Sequence, residues 1–327
     1  MNKQEIKKMP IPNFKEDDYK LIFIILFIIM VFGLPASANY LCVDDMDAYG
    51  DAMTPGITGG RIYYVWRDGW DIGPPPVDVV TLPGNLTGSQ VYHWNGIGTG
   101  LMESTIVRSG MSMPFYYEND GDNAYKPVGG NNPDNPLMYY SEATVATSDL
   151  PIGSNWTIGD VRALVLWFYG NPNNDANSTE QMYVALEDGD GHISVVLYDG
   201  DMDDIKEASW HEWNIELADF ADINLSNVTS ISIGFGNEYN TTTPGGAGIV
   251  YFDDIRLYPP RCVPSLLQPI GDLDDDCDVD YDDLIIIADN WLLAPSDPKI
   301  DLYSDETIDF RDIAELGRAW GEQQIWP

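Results

Sequence analysis

The chain has 327 residues, 53 acidic against 16 basic, and a formal charge of -37. A surface this negative repels phosphate backbones and anionic lipid, which excludes nucleic acid and electrostatic membrane docking. A hydrophobic fraction of 44%, with 10 Trp and 19 Tyr, can build a packed core and excludes an acidic disordered chain.

At the start, Lys7, Lys8, Lys15 and Lys20 precede the apolar run 21–34, then Pro35 and Ala36-Ser37-Ala38. A basic segment, a short apolar segment and an A-x-A site predict a secretory signal over residues 1–38, cleaved after Ala38. The run is shorter than the ~20 apolar residues of a spanning helix. The expected location is therefore outside the cell or on its surface, with no membrane attachment after cleavage. Export places the three cysteines, Cys42, Cys262 and Cys277, in an oxidising compartment. Cys262 and Cys277 lie close in sequence and flank the start of the C-terminal module, so they are expected to pair, leaving Cys42 free. Closing that loop is worth ~3 kcal/mol in the chain-entropy view.

Residues 39–260 read as a β-sandwich. Short β-branched and aromatic runs alternate with Gly, Asn, Asp and Pro clusters, the pattern of an antiparallel β protein. The expected strands are 61–66 (RIYYVW), 162–169, 181–187, 192–198, 210–217, 230–235 and 248–258. Asp188-Gly189-Asp190-Gly191 is a hairpin signal. Trp213, Ile215 and Leu217 share one face of their strand, and 218–223 suggests a brief helical turn. The fold class is mainly β, an antiparallel sandwich of jelly-roll type, followed by a small α-helical module.

Two long polar loops, 71–90 and 118–136, interrupt the body. Glycan binding needs flat rings for sugar faces and polar groups for hydroxyls. Trp66, Arg67, Asp68, Trp70, Tyr92 and Trp94 supply both near these loops and are the candidate ligand site, with a neutral polysaccharide as partner. Val43-Asp44-Asp45, 164–170 (LVLWFYG), 210–217 followed by Asp219-Phe220, and 250–257 (VYFDDIRL) resemble the galactose-binding-like jelly rolls of non-catalytic carbohydrate-binding modules. The resemblance implies neighbouring first and last strands that hold a structural Ca²⁺, bringing Asp44 or Asp45 towards Asp253 or Asp254.

After a linker at 261–270 comes a repeat. Residues 272–283 (DLDDDCDVDYDD) and 301–312 (DLYSDETIDFRD) align at an offset that also matches Trp291 to Trp320. Each is a calcium-type loop opening a helix, with oxygen ligands expected from positions 1, 3, 5, 7, 9 and 12. The first set is Asp272, Asp274, Asp276, the Asp278 carbonyl, Asp280 and Asp283. The second is degenerate: Asp301, Asp305, the Thr307 carbonyl, Asp309 and Asp312, with Tyr303 at position 3. Position 6, usually Gly, is Cys277 or Glu306, and a side chain there strains the turn. Leu284, Ile287, Ala288, Trp291 and Leu292 are expected on one face of the first helix.

Two EF-hand-type loops, each followed by a helix, are similar to a type I dockerin over residues 271–321. That resemblance implies structural Ca²⁺ and a cohesin-like protein partner. It also assigns recognition to loop positions 10 and 11, here Tyr281, Asp282, Phe310 and Arg311 in place of small hydroxyl residues. No nucleophile elbow, HExxH or CxxC motif occurs in the sequence. Three readings stand: a secreted glycan-binding or adhesion protein, a polysaccharide hydrolase or lyase using a pair among Glu103, Glu142 and Glu187, or a surface protein without glycan ligand. The first is preferred, with no catalytic residues assigned.

Overall fold

The computed structural model describes residues 40–50, 58–69, 84–85, 87–94, 100–120, 139–175, 181–239 and 243–326. The expected export signal, Trp70 and most of both long polar loops lie outside them. The strands among the described residues are β1 (Leu41–Asp44), β2 (His93–Trp94), β3 (Gly100–Leu101), β4 (Met113–Glu118), β5 (Tyr140–Ala146), β6 (Ala163–Tyr169), β7 (Met182–Asp188), β8 (Ile193–Leu197), β9 (Trp210–Glu216), β10 (Val228–Gly236) and β11 (Ala247–Tyr258).

Two antiparallel sheets form a sandwich. One runs β1-β11-β6-β9, with β4 also on β11, and the other runs β5-β10-β7-β8. Tyr251 and Phe252 pair with both β6 and β4, while Arg256 and Leu257 pair with both β6 and β1, so β1 and β4 share one edge of the long β11. The first and last strands are therefore neighbours. Between Asp253 and Arg256 the register slips, and Asp254 takes φ 51°, a bulge that bends β11 between its two partners.

Alternation puts every second side chain into the gap between the sheets. Ala143 and Val145, Val184 and Leu186, and Ile231, Ile233 and Phe235 face Phe115, Leu164, Leu166, Trp213, Ile215 and Phe252, all buried. Phe235 lies 5.4 Å from Phe115 and stacks 4.6 Å from Tyr117. Each such side chain contributes about 1.5–3 kcal/mol through burial.

The expected strand at 61–66 is a correction. Ile62–Tyr64 form a single 3-10 turn, and Ile62, Tyr63, Tyr64, Val65 and Trp66 are all buried. A half-buried strand leaves alternate side chains to solvent, whereas this run has protein on every side. The 218–223 turn begins slightly earlier, at Leu217–Asp219. Residues 261–270 are folded rather than a free linker: Arg261 exchanges backbone hydrogen bonds with Trp326 at 2.9 Å in both directions, and Val263 is buried against Ala163 and Trp326.

The C-terminal module contains helices α1 (Tyr281–Asp289) and α2 (Phe310–Ala319). Each is opened by a capping box: Asp280 with Asp283, and Asp309 with Asp312. Its small core joins Leu273, Val279, Ile287, Ile300, Ile308, Leu316 and Ala319. The two repeats clasp each other by exchange. Val279 bonds to Gly321 and Glu322, as Ile308 bonds to Leu292 and Leu293. Tyr281 meets Trp320 edge-on at 5.1 Å, and Phe310 meets Trp291 at 4.9 Å. Ala288 and Leu292 are exposed, contrary to the expected helix face, because α1 ends at Asp289 and Leu292 turns out at φ 58°. A disulfide joins Cys262 to Cys277, with Cα atoms 5.5 Å apart.

Candidate functional site

The outer face of the β5-β10-β7-β8 sheet carries a groove of about 630 Å³. Glu142 and Thr144 come from β5, Ser230 and Ser232 from β10, Tyr183 and Glu187 from β7, and Ile193, Val195 and Leu197 from β8. Gly234 leaves a gap in the middle strand, and a Cβ there would meet the Tyr183 ring at 2.2 Å. Tyr183 crosses that gap and donates its hydroxyl to Glu142 Oε2 at 2.8 Å. Thr144 and Ser232 hydroxyls meet at 2.7 Å, and Ser230 donates to Glu187 at 3.1 Å. Burial raises the Glu142 carboxyl above its ordinary range, against the Tyr183 and Thr144 hydrogen bonds that lower it.

The far wall is apolar and open. Ile193, Val195 and Leu197 are 66%, 48% and 53% exposed, and Tyr239 on the rim is 83% exposed. A row of hydroxyls and carboxylates thus faces an aliphatic strip, a combination suited to a ligand with both C–H faces and hydroxyl edges. Among the described lining residues there is no Lys or Arg, while Glu142, Glu187 and Glu238 are present. An anionic ligand would meet like charge from these three carboxylates.

Glu142 and Glu187 both line this one groove. Glu142 faces Tyr183 across Gly234, and Glu187 is four residues further along β7. The Glu142 carboxyl leans along the sheet to accept from Thr144 at 3.2 Å, and the Glu187 carboxyl accepts from Ser230 on the neighbouring strand. Glu103 is elsewhere, binding His93 at 3.0 Å and the Ser104 and Thr105 amides; despite partial burial, the Thr105 hydrogen bonds hold its carboxyl down to about 2.

The residues expected to bind ligand do not form this groove. Trp66 is fully buried and donates Nε1 to Asp44 at 2.9 Å, so its faces are core surface. Asp68 is buried and accepts the Val91 amide at 3.1 Å, and Tyr92 is buried with its ring 4.8 Å from Tyr63. Arg67 exchanges backbone hydrogen bonds with Thr144, which sets it beside β5 at the border of the groove sheet. Trp70 and the Trp94 side chain lie outside the described residues. Of the groove residues the sequence reading singled out only Glu142 and Glu187, as carboxylates of the hydrolase alternative, although 140–146 (YSEATVA) alternates cleanly and carries Glu142 and Thr144 outward.

The acids expected at a metal centre in the sandwich are each engaged by protein donors. Asp44 is saturated by the Met46 amide at 3.0 Å, Tyr49 Oη at 2.6 Å and Trp66 Nε1 at 2.9 Å. Asp254 pairs with Arg108 at 2.9 Å and with Arg256. Asp253 accepts the Arg108 amide at 2.9 Å, and Asp45 accepts the Asp47 amide at 3.3 Å. β1 does run beside β11, but guanidinium groups and local donors take up the acids gathered there.

In the first acidic loop, Asp272 receives the amides of Asp275, Asp276 and Cys277 at 2.8–3.2 Å. Carboxylate oxygens of Asp272, Asp274 and Asp276 lie within 4.8 Å of one another, as do those of Asp278, Asp280 and Asp283. Asp278 Oδ1 is buried without a hydrogen-bond partner. Desolvation and the neighbouring carboxylates push Asp274 and Asp278 upward. Among the described residues no Lys or Arg forms an ion pair with these six acids; Lys299 reaches only Asp275, at 2.6 Å. A hard cation fits this oxygen-only, uncompensated donor set.

In the second loop, Asp301 accepts the Asp305 and Glu306 amides at 3.1 and 2.7 Å, and the buried Asp312 accepts those of Tyr303 and Asp309 at 3.0 and 2.8 Å. Asp305 and Asp309 are both ion-paired with Arg311. Thr307 lies between them in the loop. Position 6 takes φ 67° in both loops, at Cys277 and Glu306, so the strained turn survives with side chains in place.

No protein-family model and no curated protein sequence matches the chain. Among solved structures, a carbohydrate-binding module from a study of the β-sandwich superfamily aligns at 11% identity and TM-score 0.29, over 45% of this chain and 47% of that one. A β-1,2-glucanase from Parabacteroides distasonis aligns at 15% identity and TM-score 0.38, over 69% of this chain and 27% of that one. A carbohydrate-binding module specific for non-crystalline cellulose aligns at 12% identity and TM-score 0.31, over 53% of this chain and 88% of that one. The chain thus spans less than half the length of the first two. The fold itself is an antiparallel β-sandwich, with an open groove on one sheet and a duplicated acidic helical module behind it.

Proposed function

We propose that this chain is an exported, non-catalytic protein that binds a neutral polysaccharide in the groove of the β5-β10-β7-β8 sheet. The observation that carries this reading is the groove itself, with its aliphatic wall, its opposing hydroxyls and no cation among its described lining residues. Sugar rings would lay their C–H faces on Ile193, Val195 and Leu197, with hydroxyls reaching Ser232, Thr144 and Glu187.

The C-terminal module is read as a dockerin-like, calcium-stabilised unit. Its first loop would hold the ion through Asp272, Asp274, Asp276, Asp278, Asp280 and Asp283, and the ion would relieve their mutual repulsion. Tyr281 and Phe310, 71% and 77% exposed, sit where such a module would meet a cohesin-like domain. The test is a glycan array probed with the full chain in calcium, followed by the Tyr239→Ala variant. Binding to neutral glucans, xylans or galactans, weakened in the variant, is expected. Absence of binding to all of them rejects the reading, and release of reducing sugar replaces it with an enzyme.

A further inference from the structure

The two acidic loops share a backbone and differ in what neutralises them. In both, the first Asp accepts the amides four and five residues on, and the last Asp is buried beneath the helix it caps. Left-handed residues also correspond: Asp275 and Cys277 in one loop, Ser304 and Glu306 in the other. The side chains differ in charge at positions 3, 4, 6, 7 and 11, and two of these bear on the guanidinium described next. Position 3 is Asp274 in the first loop and Tyr303 in the second. Position 11 is Asp282 in the first and Arg311 in the second.

Arg311 folds back over its own loop. Its Nη1 pairs with Asp305, its Nη2 reaches Asp309 Oδ2 at 2.7 Å, and its Nε reaches Asp309 Oδ1 at 3.1 Å. The guanidinium carbon lies 5.2 Å from the centre of the Tyr303 ring. The guanidinium therefore lies among positions 3, 5 and 9, from which a calcium loop draws side-chain ligands. One position has lost its carboxylate, and the other two already carry a permanent cation.

We propose that Arg311 is the resident cation of the second loop, and that the module takes one calcium ion rather than two. The set Asp301, Asp305, Thr307, Asp309 and Asp312 does not fit a divalent ion while Arg311 is present. Arginine stays protonated under all working conditions, and its planar fork matches carboxylates. A calcium ion would have to displace these charge-assisted bonds and then sit within a few ångströms of the released guanidinium.

The total of one ion rests on the calcium reading of the first loop, and the assignment of Arg311 does not. Calcium titration calorimetry on the chelator-treated full chain counts sites in the affinity range of about 10⁻⁷–10⁻⁵ M. We expect one site in the wild type, none in Asp274→Asn/Asp276→Asn, and two in Tyr303→Asp/Arg311→Ser. Two sites in the wild type overturn the proposal, as does a site that survives Asp274→Asn/Asp276→Asn. So does a count in Tyr303→Asp/Arg311→Ser that does not exceed the wild-type count while helicity is intact; should that variant not fold, the other two counts decide. No site in the wild type but one in Tyr303→Asp/Arg311→Ser would remove the first-loop reading and leave Arg311 in its role.

Discussion

Replacing Ile193, Val195 and Leu197 together by Ser removes the apolar wall of the groove without touching the core. Full burial of such a side chain is worth about 1.5–3 kcal/mol. These three are 66%, 48% and 53% exposed, so about half of that gain is still open to a ligand. Covering them is then worth about 1 kcal/mol each, or ~3 kcal/mol together, close to a hundredfold in affinity. Each single change should cost about fivefold. Folding stability should move little, because the lost surface is already in water and β8 is an edge strand; the lower β propensity of Ser costs at most about 1 kcal/mol per site. Titration calorimetry with the glycan chosen from the array reads the affinity, and a thermal melt run beside it reads the fold. Wild-type affinity in a folded triple variant would refute the placement of the ligand against β8, and a collapsed melting temperature would show that β8 packs against something.

Three further outcomes follow from buried groups. Asp253, raised to about 7 by burial, keeps its proton in the folded chain at pH values where the unfolded chain has lost it, so its contribution to stability falls as pH rises from about 4 through about 7. The melting temperature of Asp253→Asn relative to wild type should therefore rise between about pH 5 and about pH 8, and a pH-independent difference would contradict this. Tyr49→Phe takes one donor from the buried Asp44 and should cost about 1.5–3 kcal/mol in denaturant melts; a change below ~0.5 kcal/mol would mean that the Tyr49 hydroxyl does not hold Asp44 there. Burial pushes the Cys42 thiol up to about 12, so iodoacetamide should label it slowly before unfolding and rapidly after; non-reduced peptide maps should show Cys262 bound to Cys277, and a bridge to Cys42 would overturn that pairing.

The sandwich strands with one wet face were readable from alternation, as Trp213, Ile215 and Leu217 show. Ile62 to Trp66 was not, because a run buried on all sides has no period to distinguish a 3-10 turn from a strand. The groove was hidden for a different reason. On β8 the exposed face is Ile193, Val195 and Leu197, so a reading that sends apolar side chains inward places this strand the wrong way round. Only the pairing of β8 at the sheet's edge reveals its apolar face as open. Trp66 failed in the opposite sense: an aromatic beside a long loop looks like a sugar platform, yet its indole N–H was already committed to Asp44. In the module, by contrast, the repeat itself carried the information, down to the equivalence of Asp283 with Asp312. The reach of Arg311 back to Asp305 required coordinates.

Arg261 is where the chain passes from sandwich to module. Its guanidinium donates to Glu212 at 2.6 Å and Asn214 at 2.7 Å on β9 and stacks 4.2 Å from the Tyr258 ring, while its backbone is paired with Trp326. Both the entry and the exit of the module are thus tied down at the same corner of the sandwich. Domains on flexible tethers sample many directions and gain avidity through a broad effective concentration. A domain mounted as this one is has little freedom to swivel. If the module were docked on a scaffold, the groove would face a fixed direction, and several such chains side by side would present their grooves in parallel to a polymer running past them.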